Sequence, residues 1–465
     1  MAFTVRLPVY GTKPPCAYPS RLDDRRQIIK NKLMERTRKA EKQEDFVVYR
    51  SSDDEDEEEY SNFTSHRILF SSNNFADYIR AREYASKEYH TVDINYGTRH
   101  ILSHDMLKER PISLGSEVNK IFCSAWLSHR QVVFGTKCNK LMVYDVITKA
   151  IDQIPCIVGT NEDSGPEEQC GIHALTINPS RSLLATGGRN SNEVGIYKLP
   201  TLDPVYIGEN AHDDWIFDIV WFDDQYFATC SRDTKVALWR IPELEPEDTE
   251  IPLYSSINPV VIRKCKAAQK VRAFAFNKQL SELAALSVNG FVHIWDVERF
   301  KQTISSKLPS SQEPVCMSVN DEGSLYAIGC RSYTLLIDTR SLQLVKKIQT
   351  RYNAQLLFYS GVRSTSFKSD LLTLGSGVGI VMFYDLRIHR YLESGVNSSR
   401  TVTLKTSKGY ISSEEEYLDH NPLAMNNRYT PAVYTHCYDS SGLRLFCAGG
   451  PLSVNTFGNY ASIWQ

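Results

Sequence analysis

The chain has 465 residues, more than one small domain needs, and 42% of them are hydrophobic, so it can bury a large core rather than remain disordered. Its 53 Lys and Arg residues are balanced by 55 Asp and Glu residues, which leaves a formal net charge of −2. That balance excludes a protein whose whole surface is devoted to nucleic acid or to an anionic membrane.

The sequence carries no signal for a membrane or for an oxidising compartment. It has no run of about 18 apolar residues, as a transmembrane helix requires, and its first residues, MAFTVRLPVYGTKPPC, lack the apolar centre of a secretory signal. The 11 cysteines are scattered singly from Cys16 to Cys447 without a CxxC pair, which indicates reduced thiols. We therefore expect a cytoplasmic and nuclear protein that makes no membrane contact.

Residues 1–72 are charged and weakly patterned. Nine Lys and Arg residues fall between Arg21 and Lys42, and Ser51–Tyr60 is almost wholly acidic. Blocks of like charge repel each other and stay solvated, so we expect a mostly disordered tail. The tail either only solubilises the protein or carries a nuclear-import signal and phosphorylation sites at Ser51 or Ser52.

Residues 73–111 are predicted to form a helical segment outside the main core. Asn73-Asn74 can cap a helix, and apolar or aromatic residues follow it at near-helical spacing. These residues are Phe75, Tyr78, Ile79, Tyr84 and Tyr89. Such an amphipathic helix either folds back onto its own domain or binds in a groove of a partner, and the sequence favours neither.

From about Val118 the chain consists of short runs rich in Val, Ile, Phe and Tyr, separated by Gly, Asn, Asp and Ser, which is typical of strands and turns. One unit recurs seven times and ends in a strand closed by a large residue, at intervals of 42–80 residues, as WD repeats with loop insertions do. The closing residues are Tyr144, Tyr197, Trp239, Trp295, Ile337, Tyr384 and Trp464. We therefore predict an all-β fold, a seven-bladed WD-repeat β-propeller over residues 112–465, with residues 391–431 as a polar excursion on one face.

Blade three carries the fullest repeat pattern, with His212, Thr229, Asp233 and Trp239. In WD repeats this set forms a buried chain of hydrogen bonds that holds the turns of the blade. We therefore interpret His212 and Asp233 as structural residues, although together they resemble a catalytic dyad.

No motif indicates an enzyme, a metal site or a cofactor. Cys170-x-x-His173 and His436-Cys437 lack a third and a fourth ligand at the spacing of a zinc site. There is no P-loop, nucleophile elbow or HExxH motif. We therefore predict a non-catalytic protein with no metal and no cofactor.

Aligning the seven repeats places equivalent residues side by side around one opening of the central channel, on the narrow face. The start of each inner strand and the turn between the second and third strands line this opening. The residues expected there are Lys120, Lys137, His173, Arg232, Lys270, Arg272 and Arg363. Cations in a partly desolvated funnel repel each other, so the cluster predicts an anionic peptide as ligand. The alternative is a set of unrelated surface charges.

Two neighbouring blades end their third strands with Asp-x-Arg, namely Asp338-Thr-Arg340 and Asp385-Leu-Arg387. On the opposite, wider face these paired guanidinium groups can bind carbonyl or carboxylate groups of a partner. The alternative is a salt bridge within each blade.

These Asp-x-Arg boxes resemble those of the WD-repeat substrate receptors of cullin-4 RING ubiquitin ligases. Long runs are also similar to that family, among them VNKIFCSAWLSHRQVVFGTKCN, QCGIHALTINPSRSLLATGG and AVYTHCYDSSG. The resemblance covers about residues 73–465. The basic and acidic N-terminal segments depart from the family pattern, so nothing is carried over to them.

The resemblance implies a substrate-recognition subunit without a catalytic group of its own. It implies that proteins ending in Glu-Glu bind in the basic funnel and are then ubiquitinated. It further implies that the adaptor, damage-specific DNA-binding protein 1, connects the chain to cullin-4 and the RING subunit. The residues implied in adaptor binding are Phe75, Tyr78, Ile79, Asp338, Arg340, Asp385 and Arg387.

Two other functions stay open at this point. Because most WD propellers only bind partners, the chain can be an interaction scaffold for acidic peptides without a role in degradation. The basic segment Arg21–Lys42 also allows nucleic-acid binding, which would depend steeply on salt. We expect no direct contact with nucleic acid.

Overall fold

The computed structural model describes residues 46–48, 94–157, 171–190, 192–242, 254–309, 313–350, 361–395, 400–412, 430–452 and 456–465. The chain divides into two compact units, residues 1–46 and 47–465. A three-residue strand, β1 (Phe46–Val48), lies at their boundary. The rest of the predicted tail and the predicted helix Phe75–Tyr89 lie outside the described residues.

The second unit is a ring of small sheets, the blades, which are numbered here in chain order. Blade one is β3 (Ile121–Trp126), β4 (Gln131–Thr136), β5 (Leu141–Asp145) and β6 (Ile151–Ile154). Blade two is β7 (Leu175–Ile177), β8 (Leu183–Gly187), β9 (Val194–Lys198) and β10 (Asp203–Gly208), with β14 (Ser255–Ile257) parallel to β10. Blade three is β11 (Ile216–Trp221), β12 (Tyr226–Ser231), β13 (Lys235–Arg240) and β15 (Val261–Lys264). Blade four is β16 (Val271–Asn277), β17 (Glu282–Ser287), β18 (Phe291–Asp296) and β19 (Lys301–Lys307).

The last three blades follow the same order of strands. Blade five is β20 (Cys316–Val319), β21 (Leu325–Gly329), β22 (Tyr333–Asp338) and β23 (Leu344–Gln349). Blade six is β24 (Val362–Lys368), β25 (Leu371–Ser376) and β26 (Ile380–Asp385), with β27 (Arg390–Tyr391) and β28 (Thr403–Lys405) both paired to β26. Blade seven is β30 (Ala432–Tyr438), β31 (Leu445–Gly450) and β32 (Gly458–Trp464), with β2 (Glu109–Pro111) and β29 (Tyr410–Ile411) paired to β32.

The prediction of a seven-bladed all-β propeller is confirmed. The first strands of the blades, β3, β7, β11, β16, β20, β24 and β30, each contact the first strands of both neighbouring blades, so they close a ring around a central channel. Each predicted closing residue lies in the third strand of its blade. Trp239, Trp295 and Tyr197 are among the largest fully buried side chains, because the third strand is covered on both faces by neighbouring blades.

The ring is closed by a strand from before blade one. In β2, Glu109 pairs with Trp464 and Pro111 with Ser462, so the last blade joins both ends of the propeller. This pairing covers the edge of β32, which could otherwise pair with a strand of another chain. The sheet therefore begins at Glu109, three residues before the start that the repeat pattern indicates.

The stretch 391–431 differs in part from the predicted excursion. Its described residues include β28, which supplies part of the outer strand of blade six, and β29, which adds to the edge of blade seven. Both strands are only two or three residues long, too short for the repeat pattern to mark them.

The helix α1 (Ile94–Ser103) precedes β2 and packs against blades six and seven. Leu102 is buried in one cluster with Leu371, Phe383 and Leu445. The Thr98 hydroxyl donates a hydrogen bond to the Gly442 carbonyl at 2.8 Å. No helix in the described part of the chain is long and apolar enough to cross a membrane.

Candidate functional site

Five of the seven inner strands contain a β-bulge at the same place, next to the channel opening. The register of the first strand with the second shifts at Phe122, Phe217, Arg272, Arg363 and Tyr434. A bulge inserts one unpaired residue and redirects its side chain out of the regular alternation. These are five of the positions that the repeat alignment places at the opening. We call this end of the channel the mouth.

Aromatic side chains form one arc of the mouth, across blades seven, one, two and three. Tyr434 meets the edge of Phe122, with ring centroids 5.5 Å apart, and Phe122 stacks on His173 at 4.5 Å. The His173 ring in turn contacts Trp215 at 5.9 Å and Phe217 at 5.3 Å. His173 is therefore part of a continuous row of rings.

Arg272 continues the row into blade four. Its guanidinium carbon lies 4.4 Å from the centroid of the Phe217 ring. Burial lowers the pKa of Arg272; nearby Asp218 opposes this shift, and the charge of Arg363 adds to it. Arg272 and Arg363 are thus close enough to repel each other in a partly desolvated place.

Blade five lies between these two arginines and contributes Val315 and Cys316 at the same level. Burial raises the pKa of the Cys316 thiol to about 11, and the charges of Arg272 and Arg363 both act against that shift. The Nε of Arg363 is buried and has no hydrogen-bond partner among the described residues. Two guanidinium groups therefore face the gap over blade five.

Lys120 and Lys137 form a second cationic pair, on blade one. The Lys137 N–H donates a hydrogen bond to the Lys120 carbonyl at 2.8 Å. Lys120 is only 3% exposed. Burial and, as a smaller cause, the charge of Lys137 together lower the pKa of Lys120 to about 7.

The remaining predicted cations differ from these four. Arg232 lies 3.6 Å from the carboxylate of Asp214 and 5.2 Å from the Trp215 ring centroid, so its charge is already partly balanced. Lys270 precedes the Arg272 bulge and is exposed. A further cation, Arg331, was not among the predicted residues; it lies on the turn between β21 and β22 and pairs with Glu313 at 3.6 Å.

The sequence did not indicate Asp218, a carboxylate beneath the mouth. Its two oxygens accept hydrogen bonds from the Ile219 N–H at 2.9 Å and the Phe274 N–H at 2.7 Å, which links β11 to β16. Burial raises the pKa of Asp218 to about 6, although these two N–H groups and Arg272 oppose the shift. A lone Asp in a strand carries no motif, so only the ring geometry reveals it.

The structure places the four blade-three residues in one buried chain of hydrogen bonds. His212 Nδ1 lies 3.3 Å from the Asp233 carboxylate, and His212 Nε2 lies 2.7 Å from the Thr229 hydroxyl. The Trp239 indole N–H donates to the same hydroxyl at 2.9 Å. Both nitrogens of His212 are thus occupied by partners within the blade.

His436 likewise has a structural environment. Its Nδ1 lies 2.8 Å from the Ser364 hydroxyl and its Nε2 lies 2.7 Å from the Ser366 hydroxyl, so it joins β24 to β30. Burial lowers the pKa of His436 to about 4, which keeps the ring neutral. Cys170 lies outside the described residues. Within those that are described, no group of three or more His, Cys, Asp or Glu side chains is placed to hold a metal ion.

The face opposite the mouth carries the two Asp-x-Arg boxes, and they differ. Asp385 is buried and pairs with Arg99 of α1 at 2.9 Å, so its carboxylate faces the chain's own helix and not the surface. Arg387 is 60% exposed and lies 3.7 Å from Asp370 and 3.9 Å from Asp385. Both carboxylates belong to blade six, as the alternative of a salt bridge within the blade requires.

The blade-five box leaves its arginine at the surface. Asp338 accepts hydrogen bonds at 2.7 Å from the Ser341 N–H and the Ser341 hydroxyl. Arg340 is exposed. Beside the boxes, Ile388 exposes 56% of its surface. The predicted contact residues Phe75, Tyr78 and Ile79 lie outside the described residues.

The comparison with known families agrees with this architecture. A family model described as the DDB1- and CUL4-associated factor 12 beta propeller matches residues 103–465. The match begins at the end of α1 and includes β2 and all seven blades. This match confirms the resemblance to the cullin-4 receptors that the quoted runs indicate. The chain therefore belongs to the DDB1- and CUL4-associated factor 12 beta-propeller family.

Proposed function

We propose that this chain is the substrate-recognition subunit of a cullin-4 RING ubiquitin ligase and that its mouth binds proteins ending in Glu-Glu. The family supports the association with DDB1 and CUL4. The mouth supports the chemistry of the ligand. The chain itself contributes no catalytic group in this proposal; it holds the substrate near the ubiquitin-carrying subunits.

One observation carries the proposal. Arg272 and Arg363 flank blade five, and neither guanidinium has a hydrogen bond or a carboxylate within 4.0 Å among the described residues. Arg232 and Arg331, on the same side of the ring, both have a carboxylate partner at 3.6 Å. Two partly desolvated cations, with only the Asp218 carboxylate near Arg272 to offset their charge, destabilise the fold. An anionic ligand removes that cost.

A chain that ends in Glu-Glu suits this arrangement better than an internal acidic segment. It brings three carboxylates within two residues, and its end can enter a channel that a continuous chain cannot. A guanidinium binds a carboxylate through two parallel hydrogen bonds, each charge-assisted bond contributing about 1.5–3 kcal/mol. Arg272 and Arg363 can take two of the carboxylates over blade five, and Lys120 with Lys137 can take the third.

The opposite face is proposed to bind the adaptor DDB1, so that the substrate and the ligase occupy different ends of the ring. Arg340, Arg387 and Ile388 are exposed there and combine charge with an apolar contact. The helix proposed over Phe75–Tyr89 adds a second contact. Asp385 is assigned to the support of Arg387 and α1, because it is buried.

A peptide titration tests the mouth. We expect Arg272→Glu or Arg363→Glu to weaken the binding of a Glu-Glu-ended peptide at least tenfold, about 1.4 kcal/mol. Amidation of the peptide terminus should also weaken it, because one carboxylate is lost. Arg331→Glu is the matched control, since it makes the same charge change at a cation that already has a partner. We expect it to weaken binding less than about threefold, because distance and salt screen its charge from the peptide.

Equal effects of all three substitutions would show that only the net charge of the chain matters. The proposal that the mouth is the peptide-binding site would then be wrong. Indifference to both the substitutions and the amidation would refute it as well. Degradation is tested separately in cells. A reporter ending in Glu-Glu should accumulate when the chain is removed, whereas a scaffold without a role in degradation leaves the reporter level unchanged.

Co-purification tests the adaptor face. We expect Arg340→Ala combined with Arg387→Ala to reduce the DDB1 recovered with the chain, while Arg390→Ala, a nearby exposed arginine outside the boxes, leaves it unchanged. Unchanged recovery with the double variant would remove the boxes from the interface.

A further inference from the structure

Phe217 and Arg272 are bulge residues of adjacent blades, and they contact each other directly. The guanidinium carbon lies 4.4 Å from the ring centroid. Both residues are half-buried, so the contact is partly shielded from water. A cation over an aromatic face is attracted by the ring quadrupole, and the attraction grows as water is excluded.

The distance between these two bulges is set by Asp218, which lies beneath the mouth. Asp218, the residue after Phe217, accepts the Phe274 N–H of blade four at 2.7 Å and the Ile219 N–H of its own strand at 2.9 Å. This carboxylate therefore joins the inner strands of blades three and four one residue beyond the bulge. The Phe217 ring has a defined position relative to Arg272 as a result.

The Phe217 ring is the only directional contact that the described residues give the Arg272 guanidinium. That group forms no hydrogen bond or salt bridge with them, and a long side chain held by nothing else would sample several rotamers. A guanidinium that stacks on a ring uses its flat face, and its N–H donors all lie in the plane of the group. An Arg272 guanidinium stacked flat on Phe217 would therefore keep its donor edge available to a ligand.

We propose that Phe217 is a positioning residue that holds Arg272 flat, with its donor edge directed to the carboxylate of the ligand. This inference rests on the proposed function, because it concerns how the mouth binds an acidic peptide end. It assigns to an apolar residue a share of the affinity for a charged ligand. Val315 and Cys316, which lie on blade five between the two arginines, carry no charge that would compete with the ligand for Arg272.

Trp215 with Arg232 provides an internal comparison. That guanidinium carbon lies farther from its ring centroid, at 5.2 Å, and Arg232 also has Asp214 at 3.6 Å. A carboxylate already orients Arg232, so its ring is less important. The proposal therefore predicts an effect at Phe217 that is not shared by Trp215.

A double-mutant cycle on the full chain tests the proposal, with a Glu-Glu-ended peptide as the probe. We expect Phe217→Leu, which keeps an apolar side chain but loses the aromatic face, to weaken binding about five- to tenfold. Phe217→Tyr should bind within about twofold of the unchanged protein, because the ring is kept. In an Arg272→Ala background, Phe217→Leu should cause no further loss.

The outcomes separate the proposal from its alternatives. If Phe217→Leu weakens binding as much without Arg272 as with it, the ring contacts the peptide or supports the fold, and the positioning role is wrong. No effect of Phe217→Leu also refutes it. A Trp215→Leu effect as large as that of Phe217→Leu would mean that the mouth depends on its rings in general.

A second measurement needs no peptide and keeps this inference distinct from the proposed function. Nitrogen relaxation of the Arg272 Nε–H group reports how strongly the side chain is ordered. We expect that order to fall in Phe217→Leu and to return in Phe217→Tyr, while the temperature of unfolding stays close to that of the unchanged protein. Unchanged order would overturn the positioning role. Failure of the unchanged protein to bind the peptide would instead refute the proposed function.

Discussion

Lys120 shows how a single buried cation makes the mouth sensitive to pH. Its ammonium group is removed from water and lies in the field of Lys137, so its pKa falls from 10.5 to about 7. Between these two pH values the unfolded chain keeps a proton that the folded chain loses. The free protein therefore gains stability from this residue as the pH rises from 7 towards 10.5.

The effect on ligand binding has the opposite sign. A bound carboxylate favours the charged form of Lys120, so binding above pH 7 requires uptake of a proton, and the affinity falls as the pH rises. We expect the Kd of a Glu-Glu-ended peptide to increase several-fold from pH 7 to pH 8, with tenfold as the limit for one proton. Isothermal titration in two buffers of different ionisation enthalpy measures the proton uptake.

Lys120→Arg provides the control for that prediction, because a guanidinium stays charged over this range. The arginine variant should bind with little dependence on pH between 7 and 8. Lys270→Arg, at an exposed lysine of the same mouth, should retain the dependence. If the peptide affinity of Lys120→Arg still falls between pH 7 and pH 8, the group that titrates is not Lys120.

Some of the mouth could be predicted residue by residue, because repeats place equivalent positions side by side. Arg272 and Arg363 were found in this way, and both lie at bulges. Asp218 and the pairing of Arg232 with Asp214 could not be found, since they depend on which side chains of different strands approach each other. Charge in the sequence indicates a cation but not its partner.

At the level of elements, α1 depends on one buried ion pair. Arg99 reaches the Asp385 carboxylate at 2.9 Å, and that carboxylate is 3% exposed. The other hydrogen bond to Asp385 comes from the Arg387 N–H at 2.9 Å. The helix, the blade-six turn and the exposed guanidinium of Arg387 are therefore linked through one carboxylate.

We expect Arg99→Ala to lower the free energy of unfolding by about 1–3 kcal/mol, because it leaves a buried carboxylate with one partner fewer. Arg400→Ala is the matched control: Arg400 lies 3.9 Å from Asp105, both side chains are exposed, and such pairs contribute about 0–1 kcal/mol. Urea unfolding measures both variants. Equal small losses would show that the Arg99 pair is no stronger than a surface pair.

The third strands of the blades were predictable because each carries a buried run closed by a large residue, such as Trp239 or Tyr384. The helix α1 lies within the helical segment predicted over residues 73–111, but its own bounds were not indicated, since INYGTRHILS contains a glycine and few apolar residues. Its position is determined by contacts with Gly442 and Asp385, more than 280 residues away along the chain. The pattern of residues within the helix carries no information about contacts with such distant residues.

At the level of the whole molecule, stability depends on closing the ring. The strand β2 lies before blade one, and its partner β32 ends at Trp464, so one short pairing joins the two ends of the propeller. Glu109 strengthens it, because its carboxylate accepts hydrogen bonds from the Tyr460 hydroxyl at 2.5 Å and from the Ser407 N–H at 3.0 Å. The entropic cost of bringing the two ends of the propeller together rises only slowly with the length of the chain between them.

A chain shortened to residues 112–465 lacks this strand, although the repeat pattern alone indicates that it contains the whole propeller. We expect it to unfold at a lower temperature than residues 94–465 and to form oligomers, because Ser462–Trp464 of β32 lose their pairing partner. Residues 104–465 keep β2 but lose α1, so they should remain monomeric with an intermediate unfolding temperature. Calorimetry and size-exclusion chromatography compare the three chains.

The order of the three chains is what decides the role of β2. Loss of α1 removes Leu102 and Arg99, so it exposes the apolar residues that Leu102 covers and leaves Asp385 without its ion-pair partner; this lowers stability without opening the ring. Loss of β2 opens the ring, and Ser462–Trp464 of β32 lose their pairing partner and then pair with other chains. If residues 112–465 stay monomeric and unfold together with residues 104–465, blade seven closes on its other contacts, and β2 serves only to connect the helix.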